Sequence, residues 1–136
     1  MSKRKIIGLV LFLVYLGLVA WCCFGYFDDL PKPTQYILGI PIDKIVHFLM
    51  FVPFPFLCYM AFGPERERSW KSVLTVFIAF LTGCLVAAAT EIGQSYTSHR
   101  TADPKDFMAD AIALAVASLV ALVIILLRNN KKKTTE

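Results

Sequence analysis

Residues 73–110, VLTVFIAFLTGCLVAAATEIGQSYTSHRTADPKDFMAD, set an apolar run directly beside a stretch that is rich in ionisable side chains. The apolar part, residues 73–90, has nearly the length of about 20 residues that crosses a bilayer. An ionisable side chain at the centre of a membrane helix costs about 2.5–3.5 kcal/mol on insertion scales. We therefore expect these polar groups either to serve a function or to form a polar network that joins helices.

The rest of the chain repeats this pattern of apolar runs. Of its 136 residues 57% are hydrophobic, and its mean hydropathy is +0.64. Such runs cover residues 6–27, 45–62, 73–90 and 107–127. Because these runs and their short loops use nearly the whole chain, the sequence predicts one domain over residues 1–136. Its expected fold is an all-α bundle of four transmembrane helices, with no room for a soluble domain.

Lysine and arginine residues set the expected orientation. With the N-terminus inside, ten of the 14 basic residues face the cytoplasm and four face outward, as the positive-inside rule requires. Both termini are therefore predicted to be cytoplasmic. The first run exceeds the usual signal-peptide core of about 7–15 residues, so we expect it to be retained. The net charge of +4 follows from this arrangement and indicates contact with membrane lipids, not nucleic acid.

The ionisable residues near the runs are predicted to meet at one end of the bundle. Their positions are Asp43, Lys44 and His47 at the start of the second run, Glu91 and Gln94 after the third, and Arg100, Asp106 and Asp110 around the start of the fourth. In the predicted topology all these helix ends face outward. Residues spaced i,i+3 or i,i+4 share a helix face. Three helix ends are therefore expected to direct these side chains into one outward-opening polar pocket.

Prolines are expected to shape the helices that line this pocket. Pro53 and Pro55 fall in the middle of the second run. Each removes a backbone donor and crowds the preceding turn, which predicts a kink or local unwinding. Asp103 followed by Pro104 is typical of a helix start, with an aspartate at the N-cap and proline at the first helical position.

The candidate pocket residues also have structural explanations. Asp43 and Asp106 could stabilise helix starts through the helix dipole, and His47 could bond to a backbone carbonyl. Glu91 and Asp110 are harder to explain in this way, because each lies beside or within an apolar run without an obvious local partner. For these two residues we expect a shared polar network, whether functional or structural.

The order of these motifs resembles that of the VanZ-like family of small bacterial membrane proteins. The family pattern D-K-x-x-H-F is matched by DKIVHF at residues 43–48, and E-x-x-Q is matched by EIGQ at residues 91–94. Arg100 and Asp106 follow in the family's order. The resemblance extends over about residues 40–120, and it is the combination of motifs that is specific, not any one of them.

Two departures from the family pattern lie in the fourth run. Asp110 stands where the family usually has asparagine, and Ala113 and Ala117 stand where it usually has glycine. The alanines preserve a face of small residues, whereas the aspartate adds an acid. The resemblance implies a multi-pass protein of the bacterial inner membrane that faces the cell envelope. The family is named for a protein linked to resistance to the glycopeptide antibiotic teicoplanin, and it does not imply a particular reaction.

The first functional hypothesis is a binding or shielding module. Arg100, with Lys44 or Lys105, would engage phosphate or carboxylate groups of a lipid-linked cell-wall precursor or a lipoglycopeptide, since arginine suits bidentate recognition of such groups. The acids and His47 would orient the ligand or bind its hydroxyl groups.

The second hypothesis is a membrane-embedded hydrolase that acts on a lipid head group. The candidate ligands for a divalent metal are His47, Glu91, Asp106 and Asp110. Against an enzyme, the sequence contains no HExxH, GxSxG or phosphate-binding loop motif. A third hypothesis is an interhelical polar lock in a protein that acts through a partner. The sequence leaves the oligomeric state open.

Overall fold

Four helices of the protein are long and apolar enough to cross a membrane. The computed structural model describes residues 2–25, 36–65, 69–97 and 102–133. The helices are α1 (Lys3–Phe24), α2 (Ile42–Phe51), α3 (Pro53–Phe62), α4 (Ser69–Ser95) and α5 (Pro104–Lys133). Because α2 and α3 form one span, Ile42–Phe62, the described residues confirm the expected number of membrane helices and a multi-pass protein.

Successive membrane helices run in opposite directions. At one end of the bundle, Arg4 near the start of α1 donates to the carbonyl oxygens of Gly63 at 3.3 Å and Pro64 at 3.1 Å, just after α3. At the other end, Gln94 in the last turn of α4 donates to the carbonyl oxygen of Cys23 at 3.1 Å, in the last turn of α1. The starts of α2 and α5 therefore lie at the same end of the bundle as the ends of α1 and α4.

Small residues bring the helices close together. A Cβ atom at Gly83 of α4 would lie 2.5 Å from a methyl carbon of Leu114 in α5, and one at Gly8 of α1 would lie 2.7 Å from the backbone nitrogen of Ala61 in α3. Ala87 is fully buried in the same core. Such close approach is typical of helices that associate in membranes. There the hydrophobic effect does not drive association between helices, and van der Waals packing contributes instead.

Large apolar side chains cover the outward faces of the helices. Leu13 on α1, Leu85 on α4 and Leu119 on α5 are among many that remain exposed. In water, contiguous apolar patches of this kind mark interaction sites or aggregation liabilities. In a bilayer they face hydrocarbon, which agrees with the length and composition of the four spans.

The expected interruption of the second span lies at Val52. The helix α2 ends at Phe51 and α3 begins at Pro53, but Val52 keeps helical dihedral angles of −55° and −42°, so the two helices continue as one span. Pro53 has no N–H to donate to the preceding turn. In that turn the carbonyl oxygen of Met50 accepts a hydrogen bond from the Tyr15 hydroxyl at 2.7 Å. A side chain of α1 thus supports the backbone just before the break.

The end of α4 and the start of α5 extend beyond the apolar runs from which they were predicted. The third run ends at residue 90, but α4 continues to Ser95, and α5 begins at Pro104, three residues before the fourth run. Hydropathy reports only the part of a helix that lies in hydrocarbon, whereas polar turns at the membrane surface extend the helix beyond it. Consequently Glu91 and Gln94 lie within α4. The first run was expected to reach residue 27, whereas α1 ends at Phe24.

A short β-hairpin precedes α2. Its strands β1 (Tyr36–Ile37) and β2 (Ile40–Pro41) pair antiparallel, and the turn residues Leu38 and Gly39 both have positive φ angles, of 53° and 80°. Two-residue hairpin turns favour this conformation, which glycine adopts readily and leucine does not. Leu38 is 98% exposed at the tip. The hairpin therefore presents an apolar tip next to the start of α2.

Candidate functional site

Four ionisable side chains are buried at the end of the bundle where α2 and α5 begin. The exposed fractions are 4% for His47, 7% for Glu91, 8% for Asp106 and 0% for Asp110. Charged residues are almost never buried to this degree unless they are paired. With their neighbours they form what we call the polar cluster. Its members are Asp43, Lys44, His47, Glu91, Asp103, Asp106 and Asp110.

His47 of α2 is held by Asp110 of α5. The Nδ1 atom of His47 lies 3.2 Å and 3.3 Å from the two carboxyl oxygens of Asp110. The other ring nitrogen, Nε2, lies 3.8 Å from Oδ2 of Asp106, which is too far for a hydrogen bond. Since Asp106 and Asp110 are four residues apart, one face of α5 presents both carboxyl groups to the same histidine.

Lys44 joins the starts of α2 and α5. Its Nζ atom donates to Oδ2 of Asp43 at 3.1 Å, to Oδ2 of Asp103 at 2.7 Å and to Oδ1 of Asp106. An ammonium group has three donors, so these acidic partners engage them all. Lys44 therefore neutralises part of the negative charge of the cluster and has no donor left for a further anion.

Asp103 serves both the helix start and the cluster. Its Oδ1 accepts a hydrogen bond from the backbone N–H of Lys105 at 3.0 Å, as expected of an N-cap residue, and its backbone N–H donates to Oε2 of Glu91 at 3.2 Å. The hydrogen bond from Lys44 and then that from Lys105 lower the pKa of the Asp103 carboxyl below its ordinary value. Asp103 thus stays ionised at neutral pH.

Two buried carboxyl oxygens have no hydrogen-bond partner among the described residues. They are Oδ1 of Asp43 and Oε1 of Glu91. A buried acceptor without a partner carries a desolvation cost of about 1–3 kcal/mol, and more if it is charged. Both atoms can accept hydrogen bonds or bind a cation.

Three members of the cluster could together hold a metal ion. Among the described residues, His47, Glu91 and Asp106 each offer one ligand atom, and these atoms lie within 4.8 Å of one another. Asp110, which the sequence suggested as a fourth candidate ligand, is not in this group and instead bonds to His47.

The family profile of VanZ/LLP1 matches residues 12–127, a range that includes every member of the polar cluster. The chain belongs to the VanZ/LLP1 family. The resemblance seen in the motifs of residues 43–48 and 91–94 is thereby confirmed.

Among curated proteins, this VanZ/LLP1 chain is similar to one from the fission yeast Schizosaccharomyces pombe, which is named uncharacterized protein C11E3.10. The two are 28% identical over 121 residues, which are 89% of this chain and 65% of the yeast protein. The chain thus spans somewhat less than two thirds of the length of that relative. No solved structure gives a significant match.

In this VanZ/LLP1 protein, Gln94 has a different setting from the other predicted pocket residues. It is 2% exposed, and its side-chain amide donates to the carbonyl oxygen of Cys23. This bond joins the last turns of α4 and α1. The structure thus gives Gln94 a role in helix packing beside the cluster. Arg100, also predicted for the pocket, lies outside the described residues.

Asp103 is the cluster member that the sequence did not assign to the pocket. Its place before Pro104 indicated a helix cap, and this explained the residue without any contact to another helix. A signal was present nevertheless, because Lys44 lies at the start of a predicted membrane helix and needs acidic partners there. Only the packing of α2 against α5 selects Asp103 as one of them.

Proposed function

We propose that this protein binds the polar head group of a membrane-anchored cell-envelope precursor and shields it within the polar cluster. The observation that carries this proposal is a buried group of ionisable side chains at one end of a membrane bundle, in which Asp43 and Glu91 each keep one buried carboxyl oxygen without a partner among the described residues. Ionisable groups in membrane helices are costly and tend to mark functional sites. A ligand that satisfies these oxygens would account for their retention.

The chemistry of the cluster indicates which ligand groups would fit. The atoms without partners are acceptors, so the ligand must bring hydroxyl, amide or ammonium donors, or a cation. The sugar and peptide portions of a lipid-linked precursor carry such donors. Lys44 is engaged by three carboxyl groups, so the anionic part of the ligand would be met by Lys105 and by Arg100, which the sequence assigns to the same pocket.

The proposed location is the outer leaflet of a bacterial inner membrane, with both termini in the cytoplasm. The distribution of basic residues supports this orientation through the positive-inside rule. The exposed apolar tip at Leu38, next to the start of α2, supports a position of the cluster near the membrane surface.

Binding to a lipid-linked precursor in nanodiscs tests this proposal. We expect wild-type protein to bind precursor in preference to phosphatidylglycerol, and Arg100→Ala or Asp43→Asn to weaken binding by about 10- to 100-fold, since a hydrogen bond to a charged group contributes about 1.5–3 kcal/mol. Lys71→Ala, at the other end of the bundle, is the control and should bind as wild type does. Equal affinity of all four proteins would contradict the proposal.

A cellular test addresses the link to teicoplanin. Expression in a sensitive host is expected to raise the teicoplanin concentration that stops growth, and Asp43→Asn at equal membrane abundance is expected to abolish the increase. Protection that is unchanged in the variant would mean that the polar cluster is not the site of shielding.

A further inference from the structure

Three side chains of the polar cluster converge from three different helices. His47 of α2, Glu91 of α4 and Asp106 of α5 are all buried, and each offers a ligand atom within 4.8 Å of the other two. No single helix start or turn explains this meeting, because the residues are brought together only by helix packing. One imidazole nitrogen and two carboxyl oxygens are a ligand set that suits Zn²⁺ or Mn²⁺.

The separation of one pair agrees with a shared cation. Nε2 of His47 and Oδ2 of Asp106 are 3.8 Å apart. Zinc binds nitrogen and oxygen ligands at about 2.0–2.2 Å, so two ligand atoms on one ion lie roughly 3–4.4 Å apart. A direct hydrogen bond between the two side chains would be shorter. The spacing thus leaves room for an ion between them.

The setting of Glu91 is an independent indication of a ligand. Its Oε2 atom accepts a hydrogen bond from the backbone N–H of Asp103 at 3.2 Å, whereas its Oε1 atom is buried without a partner among the described residues. The side chain is therefore held at one oxygen and free at the other, within the group that includes His47 and Asp106. A cation at this point would satisfy the second oxygen.

Neighbouring groups hold the other two side chains in the orientation that a cation needs. Asp110 bonds to Nδ1 of His47, which leaves Nε2 directed at Asp106. Carboxyl groups placed in this way behind a metal-binding histidine fix its tautomer and raise its basicity. Lys44 bonds to Oδ1 of Asp106, which leaves Oδ2 directed at His47.

We propose that His47, Glu91 and Asp106 bind one divalent transition-metal ion, Zn²⁺ or Mn²⁺, with Asp110 as the positioning residue for His47. Three protein ligands leave at least one coordination position open. A phosphate oxygen of the head group would occupy that position, so that the ion links the acidic cluster to an anionic ligand. This second role rests on the proposed function, whereas the ion site itself rests only on the cluster geometry.

Calorimetric titration of the full-length protein in detergent, stripped with a chelator, tests the ion site. Titration with Mn²⁺ or Zn²⁺ alone is expected to show one ion bound per chain, and Glu91→Gln and Asp106→Asn are each expected to abolish this binding. Glu65→Gln is the matched control, because Glu65 is exposed at the other end of the bundle, near Lys5. No binding by wild type, or undiminished binding by both ligand variants, would overturn the proposal.

Asp110→Asn separates a positioning role from a purely structural one. Loss of a carboxyl group behind a metal-binding histidine typically weakens metal affinity by about 10- to 100-fold, so we expect that decrease with one ion still bound per chain at saturation. Unchanged affinity would contradict the positioning role.

Precursor binding with and without chelator distinguishes failure of the ion site from failure of the proposed function. Loss of precursor binding on chelation, restored by Mn²⁺, would support the link through the ion. Equal precursor binding in chelator would overturn that link and leave head-group recognition standing. Ion binding without any precursor binding would overturn the proposed function and leave the ion site standing.

Discussion

The imidazole of His47 lies 3.2 Å from the carboxyl group of Asp110, and both side chains are buried between α2 and α5. This contact is central to the polar cluster, because it fixes which ring nitrogen of His47 is directed at Asp106. The two residues are 63 positions apart in the chain, so their meeting is a consequence of the fold. The interaction energy between the two side chains can therefore be measured from the unfolding free energies of variants of the folded bundle.

Replacement of His47 is expected to lower the stability of the protein by an amount that depends on Asp110. His47→Ala should destabilise the protein in detergent micelles by about 1–3 kcal/mol, because the buried Asp110 carboxyl loses its hydrogen-bond partner. Adding Asp110→Asn should recover part of the loss, since an amide has no charge to leave unpaired. Equilibrium unfolding of the two single variants and the double variant measures the interaction energy. Strictly additive losses would contradict the coupling.

The ion pair between Lys44 and Asp103 predicts a defined pH dependence. The pKa of Asp103 lies below its ordinary value of 3.8, and a group with a lowered pKa stabilises the folded state above its unfolded pKa. This contribution declines as the pH falls below 3.8 and disappears below the lowered pKa.

Asp103→Asn tests this dependence. We expect the variant to unfold at a lower temperature than wild type at pH 7, and the difference to vanish as the pH falls through the lowered pKa. Parallel thermal unfolding of both proteins from pH 7 to a pH below the lowered pKa measures it. A difference that stays constant over this range would contradict the contribution of the ionised carboxyl group, because asparagine caps a helix about as well as aspartate.

Gly83 and Gly17 offer a matched test of helix packing. A Cβ atom at Gly83 would lie 2.5 Å from a methyl carbon of Leu114, which is fully buried, whereas one at Gly17 would meet nothing within 4 Å. Both glycines are helical, so the gain in helix propensity is the same in each alanine variant. We expect Gly83→Ala to be less stable than Gly17→Ala by about 1–3 kcal/mol, the usual cost of overpacking. Equal unfolding free energies would contradict close packing of α4 on α5.

Much of the fold follows from simple patterns in the sequence. The apolar run of residues 73–90 identified α4 because few structures other than a membrane helix satisfy so many apolar residues together. The meeting of His47 with Asp106 and Asp110 followed from the alternating direction of the helices and from the four-residue spacing on α5.

The detailed partners could not be predicted in the same way. Lys44 bonds to Asp103 and Gln94 to the Cys23 carbonyl, and both contacts depend on how far each helix is rotated and shifted against its neighbour. Periodicity fixes the face of a helix but not these offsets. The sequence also predicted an earlier end for α4 and a later start for α5 than the structure has, because hydropathy does not register polar turns such as the one that contains Gln94.

The thermal stability of Glu91→Gln, measured without added metal or precursor lipid, separates a binding site from a structural lock most directly. The glutamine carbonyl can keep the hydrogen bond from Asp103, while its amide replaces an oxygen that has no partner among the described residues. If the cluster exists to bind a ligand, the variant should unfold at the same temperature as chelator-treated wild type or higher, with a gain of up to about 1–3 kcal/mol. A clear drop in unfolding temperature would contradict this and would show that Glu91 serves to hold the helices together.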